Sequence, residues 1–568
     1  MNEDKIRKKM LENLPISSGE FFDMPECHID GLEDAASVIT DAIRNNLRIY
    51  IIGDYDADGI NASTEMYLLC SQAGNRPNIR IPKSFSEGYG LSPKIMEEIV
   101  DINAGREALV ITVDNGIKAY EAVKIAKDAG FRVVVIDHHL ADKDCYSLYS
   151  DVDAVVNQSD GMHDTSVYGY TPYCGAGLVL KLAEELNKVF HYSERTINSI
   201  RIMAGIATIA DVVPLINGNR KIVKNALQLI NTGAVVIDGL DILLKITGLD
   251  LQSNGLCNED DFAFKLGPMF NAPGRLIDNG ADIVYQMLLS NKTTAYSIFQ
   301  QINSLNIKRK DMVQHETAIA EEMLSDLSDS NIIILHGKEF HLGICGIVAG
   351  KLAEKYQKPA IVLADLEDGS FKGSARNCGN ISIIDVINEG KEFLLSYGGH
   401  EGAAGLKIKP GCYEKFTSRM QEIMNNIDLD VIVNKPESFY IDVVDMQSAY
   451  DIISDFAPFG TKNPAPLFTI KQAVLTPKMG QFVTFMGKFQ EHVKFYLQAD
   501  GVAVGFWQAE KYKKMGMPLS LNLTGTLVPH MYMGQKSIQL CLIDFDISVK
   551  KEISTSLKEK IGIINMNI

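Results

Sequence analysis

Between residues 46 and 139 one pattern comes three times: an apolar run that ends in acidic or imidazole side chains. "NLRIYIIGDYDADG" carries Asp54, Asp56 and Asp58; "EALVITVDNG" carries Asp114; "FRVVVIDHH" carries Asp137, His138 and His139. Helical stretches, "ASTEMYLLCSQAG" and "AYEAVKIAKDAG", lie between them, the first stopped at Gly74. Strands alternating with helices predict a parallel sheet in an α/β domain. Ligands of such sheets sit beyond the carboxyl ends of the strands, where all three clusters fall. Carboxylates this close repel one another unless something neutralises them.

A further acidic group, Asp211, follows the apolar helical run in "GIATIADVVPL". Carboxylates with one or two imidazoles suit hard or borderline divalent cations, Mn²⁺ and Mg²⁺ ahead of Zn²⁺. A central aspartate such as Asp114 could bridge two ions, and two ions can activate a water and clamp a phosphoryl group. An isolated DxDxDG also opens calcium loops; Glu65 is twelfth only when counting starts at Asp54, and that reading is set aside. No GxxxxGK[ST] loop is present, which argues against an ATP-driven mechanism.

The rest of the chain divides by texture. With 568 residues it exceeds one core. We expect an N-terminal cap segment over 1–45, a catalytic α/β domain over 46–290 and a linker helix over 291–329. The strand–helix pattern restarts with "NIIILHG" and "PAIVLADL", placing a second α/β domain at 330–430. Short β runs with turn signals then predict an all-β barrel over 431–548, before a tail at 549–568. No apolar stretch reaches membrane-spanning length, and the start "MNEDKIRKKMLENL" lacks the apolar core of a signal peptide. Nine scattered cysteines without a CxxC pair fit a reducing cytoplasm. A net charge of −17 speaks against a generally basic nucleic-acid binder, so any electrostatic footprint must be local.

At "DYDADG", "VDNG", "DHH" and "ATIADVVPL" the chain resembles the DHH phosphoesterase superfamily, and at "GSARN" and "SYGGHEGAAG" its companion DHHA1 domain. "SEGYGLS", "NAPGRL", "GICGIVAGKLAEKYQKPAIVL", "PFGTKNPAPLF" and "HMYMGQKSIQLCLIDFDI" are similar to the single-strand-specific 5′→3′ exonuclease branch of that superfamily, over residues 22 to 547. The resemblance implies two Mn²⁺ or Mg²⁺ ions, one held by Asp54, Asp56 and Asp114, the other by Asp58, Asp114, His138 and Asp211. His139 would contact or protonate the phosphate, and Asp137 would orient the histidines. Gly373, Ser374, Ala375 and Arg376 would form a phosphate-gripping loop, joined by Arg275. Gly398 and Gly399 would let backbone approach the strand, and His400 would reach the scissile region. The barrel resembles an OB-fold, which binds single strands through basic groups and stacked aromatics, with Phe485, Lys488, His492, Lys494, Phe495, Trp507, Tyr532 and Lys536 as candidates.

The implied activity is hydrolysis of single-stranded DNA to 5′-mononucleotides by two-metal water attack, in recombination or repair. A monomer in the cytoplasm, working beside a single-strand-binding protein and a helicase, is the expected setting. The alternatives are a DHH phosphodiesterase on short oligonucleotides or cyclic dinucleotides, and a non-catalytic DHH scaffold that binds DNA. The chain departs from the family at Ser84 and Met269, where arginines are usual, at Asn377 for serine, and at Lys462-Asn463 for Gly-Asn. These changes touch phosphate recognition and spare the metal ligands, so hydrolysis is a firmer expectation than 5′-end selectivity.

Overall fold

The structure, a computed structural model, describes residues 3–25, 28–141, 150–159, 172–250, 256–324, 330–379, 381–427, 438–487, 489–532 and 535–547. These form two compact units, one drawn from 1–24, 251–257 and 435–568, the other from 25–250 and 258–434.

The larger unit begins with an all-parallel sheet of five strands: β1 (Arg48–Ile52), β2 (Asn78–Arg80), β3 (Ala108–Val113), β4 (Arg132–Ile136) and β5 (Ala154–Val156). Their order is β2-β1-β3-β4-β5. The central strand β3 reads ALVITV and is buried at every residue, as a strand covered on both faces must be. On one face Tyr50, Ile52, Val110, Val133 and Val135 pack under the helices Pro93–Asn103 and Tyr120–Asp128. The helices Ala57–Gln72 and Gly175–Phe190 cover the other face, and Glu194–Ala210 packs on both of them. The helix after the first cluster starts earlier than its apolar spacing suggests. It runs from Ala57, because Asp56 caps it by accepting the N–H groups of Asp58 at 2.9 Å and Gly59 at 3.1 Å.

A 33-residue helix, Lys292–Leu324, leads into a second sheet. Its strands are β6 (Ile333–Gly337), β7 (Ala360–Asp365), β8 (Phe371–Arg376), β9 (Leu394–His400) and β10 (Ala403–Ile408), in the order β6-β7-β8-β10-β9. The β6–β7 pair is parallel and the others antiparallel. "GSAR", expected as a loop, is the end of β8, laddered between β7 and β10. Gly373 is needed there for packing, since a Cβ would stand 2.0 Å from the Val362 carbonyl oxygen.

The smaller unit is a seven-stranded sheet of β11 (Ser438–Tyr440), β12 (Leu467–Val474), β13 (Val483–Met486), β14 (His492–Tyr496), β15 (Val502–Gly505), β16 (Ser520–Tyr532) and β17 (Gln535–Ile547). The order is β11-β12-β16-β17-β15-β14-β13, and a bridge between Leu475 and Leu497 draws the β12 side towards the β14 side. Its core takes Ile6, Met10 and Phe21 from the helices Glu3–Glu12 and Ser18–Asp23, beside Ile453, Phe456 and Phe468. The segment read as one cap over 1–45 is therefore divided: its first two helices join the barrel, whereas Leu32–Arg44 packs in the larger unit. The tail expected at 549–568 lies outside the described residues. Among the described residues, no helix is long and apolar enough to cross a membrane.

Candidate metal centre

The parallel sheet sets the centre. Asp54 lies two residues beyond β1, and Asp114 and Asp137 directly beyond β3 and β4, three strands adjacent in the sheet. Asp114 takes a left-handed φ of 61°, a backbone that aspartate tolerates better than most residues. Asp211 reaches the same place from the C-terminal end of the helix Glu194–Ala210. Three sets of donor atoms result, each within 4.8 Å: Asp54, Asp56 and Asp114; Asp58, His138 and Asp211; Asp114, His138 and His139.

This donor set fits divalent cations. Asp54, Asp58 and Asp114 are buried, and Asp54 Oδ1 has no hydrogen-bond partner among the described residues. Burial pushes the Asp54 carboxyl well above the ordinary range, and neighbouring Asp56 adds to it. Burial and Asp58 do the same to Asp114 and to Asp211. Such a cluster stays ionised only with positive charge inside it. His138 is held below its ordinary value, by burial first, so its ring is a neutral donor; Nε2 stands 3.1 Å from Asp114 Oδ1 and 3.7 Å from both Asp58 Oδ2 and Asp211 Oδ2.

The two histidines have separate surroundings. Asp137 Oδ1 accepts the backbone N–H of His138 at 2.8 Å and of His139 at 3.1 Å, and meets His139 Nδ1 at 2.8 Å; Oδ2 accepts the Ile117 N–H at 2.9 Å. Asp137 thus orients one imidazole ring, that of His139, and only the backbone of His138. Burial is the largest single influence and opposes the charge on His139, but the bond to Asp137 and the charges of Asp137, Asp58 and Asp56 together outweigh it and raise its pKa.

Asp58 has a second task. Its carboxylate accepts the N–H groups of Gly175 at 2.6 Å and Ala176 at 2.8 Å, capping the helix Gly175–Phe190. Gly59, in the DxDxDG run, looks like a residue that lets the chain turn into the helix. Its observed role is close approach, because a Cβ would lie 2.5 Å from the backbone N and O of Asp54. The DxDxDG spacing, with Gly59 sixth and Glu65 twelfth, does satisfy a calcium loop. The helix from Ala57 excludes it: Asp58 and Glu65 are two turns apart within a helix. Glu65 is fully buried, and burial followed by Asp58 raises its pKa.

Two groups at the centre give no local signal in the sequence. Tyr89, in "SEGYGLS", donates its hydroxyl to the Asp114 carbonyl at 2.9 Å, with the oxygen 3.1 Å from a ring nitrogen of His139. Asn271, in "NAPGRL", accepts the Ala57 N–H at 2.7 Å and steadies the start of the acidic helix.

The arginines gather beside the centre. Arg275 faces Asp56 and donates to the Gly343 carbonyl at 3.4 Å. Arg376 stands near Arg275, and Arg309 of the long helix stands near it too. Burial lowers the pKa of all three, and among the described residues none pairs with a carboxylate. Ser374 adjoins Arg376 around Gly346, where a Cβ would meet the guanidinium at 2.8 Å and Ser374 Oγ at 3.3 Å. Gly399 serves its own hairpin: at φ +151° a Cβ would strike the Ala403 carbonyl at 2.3 Å. Gly398 faces open space, and His400 is exposed, its Nδ1 accepting the Gly402 N–H at 3.1 Å. Ser84 bonds to the Gly274 carbonyl at 2.7 Å, and Asn377 to that of Ile381 at 3.2 Å.

Of the barrel candidates, Phe495 is core, fully buried. Phe485 is half-buried under Lys513, at 4.6 Å from its ammonium. Trp507 is exposed and meets the His492 ring edge-on at 4.7 Å, and the Lys494 ammonium lies 5.9 Å from the Tyr496 ring. Lys488 and the side chains of Tyr532 and Lys536 lie outside the described residues.

Family models match in three places: the DHH family N-terminal domain over residues 48–210, the DHHA1 domain over 329–426 and the RecJ OB domain over 441–544. The chain is 30% identical over 543 residues to the single-stranded-DNA-specific exonuclease RecJ of Bacillus subtilis, covering 94% of this chain and 65% of that protein. It therefore spans about two thirds of that relative's length. The crystal structure of RecJ in complex with Mn²⁺ from Thermus thermophilus matches with a TM-score of 0.74 at 22% identity, over 95% of this chain and 76% of the other. A crystal structure of exonuclease RecJ bound to manganese matches with a TM-score of 0.58 at 26% identity, over 71% and 96%.

Proposed function

We infer from these findings that the chain, which belongs to the RecJ family of DHH/DHHA1 phosphoesterases, is a metal-dependent 5′→3′ exonuclease hydrolysing single-stranded DNA to 5′-mononucleotides. The observation that carries this reading is the packing of five aspartates and His138 at one sheet edge, with arginines beside them that, among the described residues, pair with no carboxylate. Asp54, Asp56 and Asp114 would hold one cation, and Asp58, Asp114, His138 and Asp211 a second. Mn²⁺ or Mg²⁺ there would supply Lewis acidity and lower the pKa of water towards neutrality.

The chain's own groups do the rest. Asp137 fixes His139 so that its ring can donate a hydrogen bond or proton to a phosphate oxygen. Arg275 and Arg376, with Ser374, would clamp the phosphate; their depressed pKa values mark charge that an anion relieves. His400, exposed at the end of β9, would meet the strand near the scissile bond, with Gly399 shaping its hairpin. The barrel would hold the trailing strand through exposed rings such as Trp507 and the nearby lysines. We place this activity in repair or recombination in the cytoplasm, with a helicase and a single-strand-binding protein as helpers.

One assay tests this: long single strands labelled at either end, with and without a 5′ phosphate, in Mn²⁺. Early release of the 5′ label supports the reading. Release of the 3′ label first overturns its polarity, and cleavage of dinucleotides alone favours an oligonucleotide phosphodiesterase. Asp114→Ala should abolish cleavage with the fold retained by circular dichroism; an active variant would sink the mechanism.

A further inference from the structure

Three exposed apolar side chains stand on residues that touch or directly follow the acidic centre. Tyr89 is 51% exposed, Leu140 72% and Val212 66%. Leu140 follows His139 and Val212 follows Asp211 in the chain, so both backbones border the acidic centre. Tyr89 is fixed while exposed: its hydroxyl is bonded to the Asp114 carbonyl, and its ring meets His139 edge-on at 5.4 Å. Val212 is β-branched yet sits at φ 58°, a backbone that glycine or asparagine would adopt more easily. Its side chain gains no burial in return, so neither backbone ease nor packing accounts for valine there.

We propose that Tyr89, Leu140 and Val212 form an apolar seat for the base and sugar of the 5′ nucleotide whose phosphodiester is cleaved. This rests on the exonuclease reading and deepens it. A phosphate held between the aspartates and Arg275 leaves its sugar and base within a few bond lengths of the centre. The neighbouring carboxylates cannot receive those groups, whereas an anchored ring offers a stacking face with little motion left to lose. Leu140 and Val212 have no polar side-chain atoms, and the single hydroxyl proton of Tyr89 is engaged by Asp114. The seat therefore reads no base edge and accepts all four bases, as stacking does.

The test compares single strands ending at the 5′ side in a normal nucleotide or in an abasic tetrahydrofuran residue, with Mn²⁺. The kcat/KM ratio for the two ends is self-normalising. We expect about tenfold preference for the base in the native enzyme, on the scale of one stacked ring. The ratio should fall towards one in Tyr89→Ala, fall about threefold in Leu140→Ser and Val212→Ser, and persist in Tyr89→Phe. A native ratio near one, an unchanged ratio in all three truncated variants, or a loss in Tyr89→Phe equal to that in Tyr89→Ala overturns the seat. So does a strong preference for one terminal base. If the native enzyme cleaves neither substrate, the exonuclease reading fails and the seat with it.

Discussion

Glu316 sits on the long helix Lys292–Leu324 with 2% of its surface exposed, and its Oε2 accepts the backbone N–H of His341 at 3.2 Å. Burial raises its carboxyl from 4.5 to about 7, against which the His341 N–H works only partly. Cys345 also faces it, and His341, lowered by burial and by Lys308, brings no charge at neutral pH. The folded state thus holds the proton more tightly than the unfolded chain. Stability from this group is fullest below pH 4.5 and is lost as pH rises towards 7. The 2.5-unit difference at 1.36 kcal/mol each sets a ceiling of about 3 kcal/mol. Relaxation of the surroundings and water entry on ionisation reduce this to about 1–2 kcal/mol. Glu316→Gln keeps the acceptor and removes the titration. Thermal unfolding from about pH 5 to about pH 8.5 should show the variant matching the native protein at the acid end. At the alkaline end it should exceed the native protein by about 1–3 °C. Parallel pH profiles for the two proteins, or a variant less stable at the alkaline end, would refute the argument.

Other expectations follow from single contacts. Gly59→Ala should remove metal-dependent cleavage as fully as Asp54→Ala, since its Cβ would displace the Asp54 backbone; activity above a tenth of native would contradict the approach seen here. Phe21→Ala should lower barrel stability by about 3–4 kcal/mol in urea titrations followed by Trp507 fluorescence, because Phe21 is fully buried in that core. Chelation should lower the melting temperature of the larger unit. Mn²⁺ at about a hundred times its Kd should restore about 2.7 kcal/mol, a gain absent from Asp114→Ala.

What the sequence made legible was local. The parallel sheet could be foreseen because three strand ends repeat one pattern within about ninety residues, and periodicity of that range needs no tertiary information. The aspartates were visible for the same reason. The misread features are those set by distant contacts. Gly373 to Arg376 look like a turn, yet two neighbouring strands ladder them into a sheet. Phe495 looks like a stacking ring, but alternation along β14 points it into the core. Gly59 resembles a turn glycine until the backbone of Asp54 is placed against it. Tyr89 and Asn271 act through partners 25 and 214 positions away, which no spacing rule encodes.

The two N-terminal helices that complete the barrel core set a schedule for the ribosome. Ile6, Met10 and Phe21 are made before the larger unit, and the strands that bury them begin at Ser438. At about 5–20 residues per second, these side chains wait roughly 20–90 s for their core. During that time the whole larger unit is synthesised and can fold between them. The barrel then closes after the larger unit has been made, around side chains synthesised before it. A nascent chain halted before β16 would carry the complete set of metal-centre aspartates while Ile6, Met10 and Phe21 still lacked part of their cover.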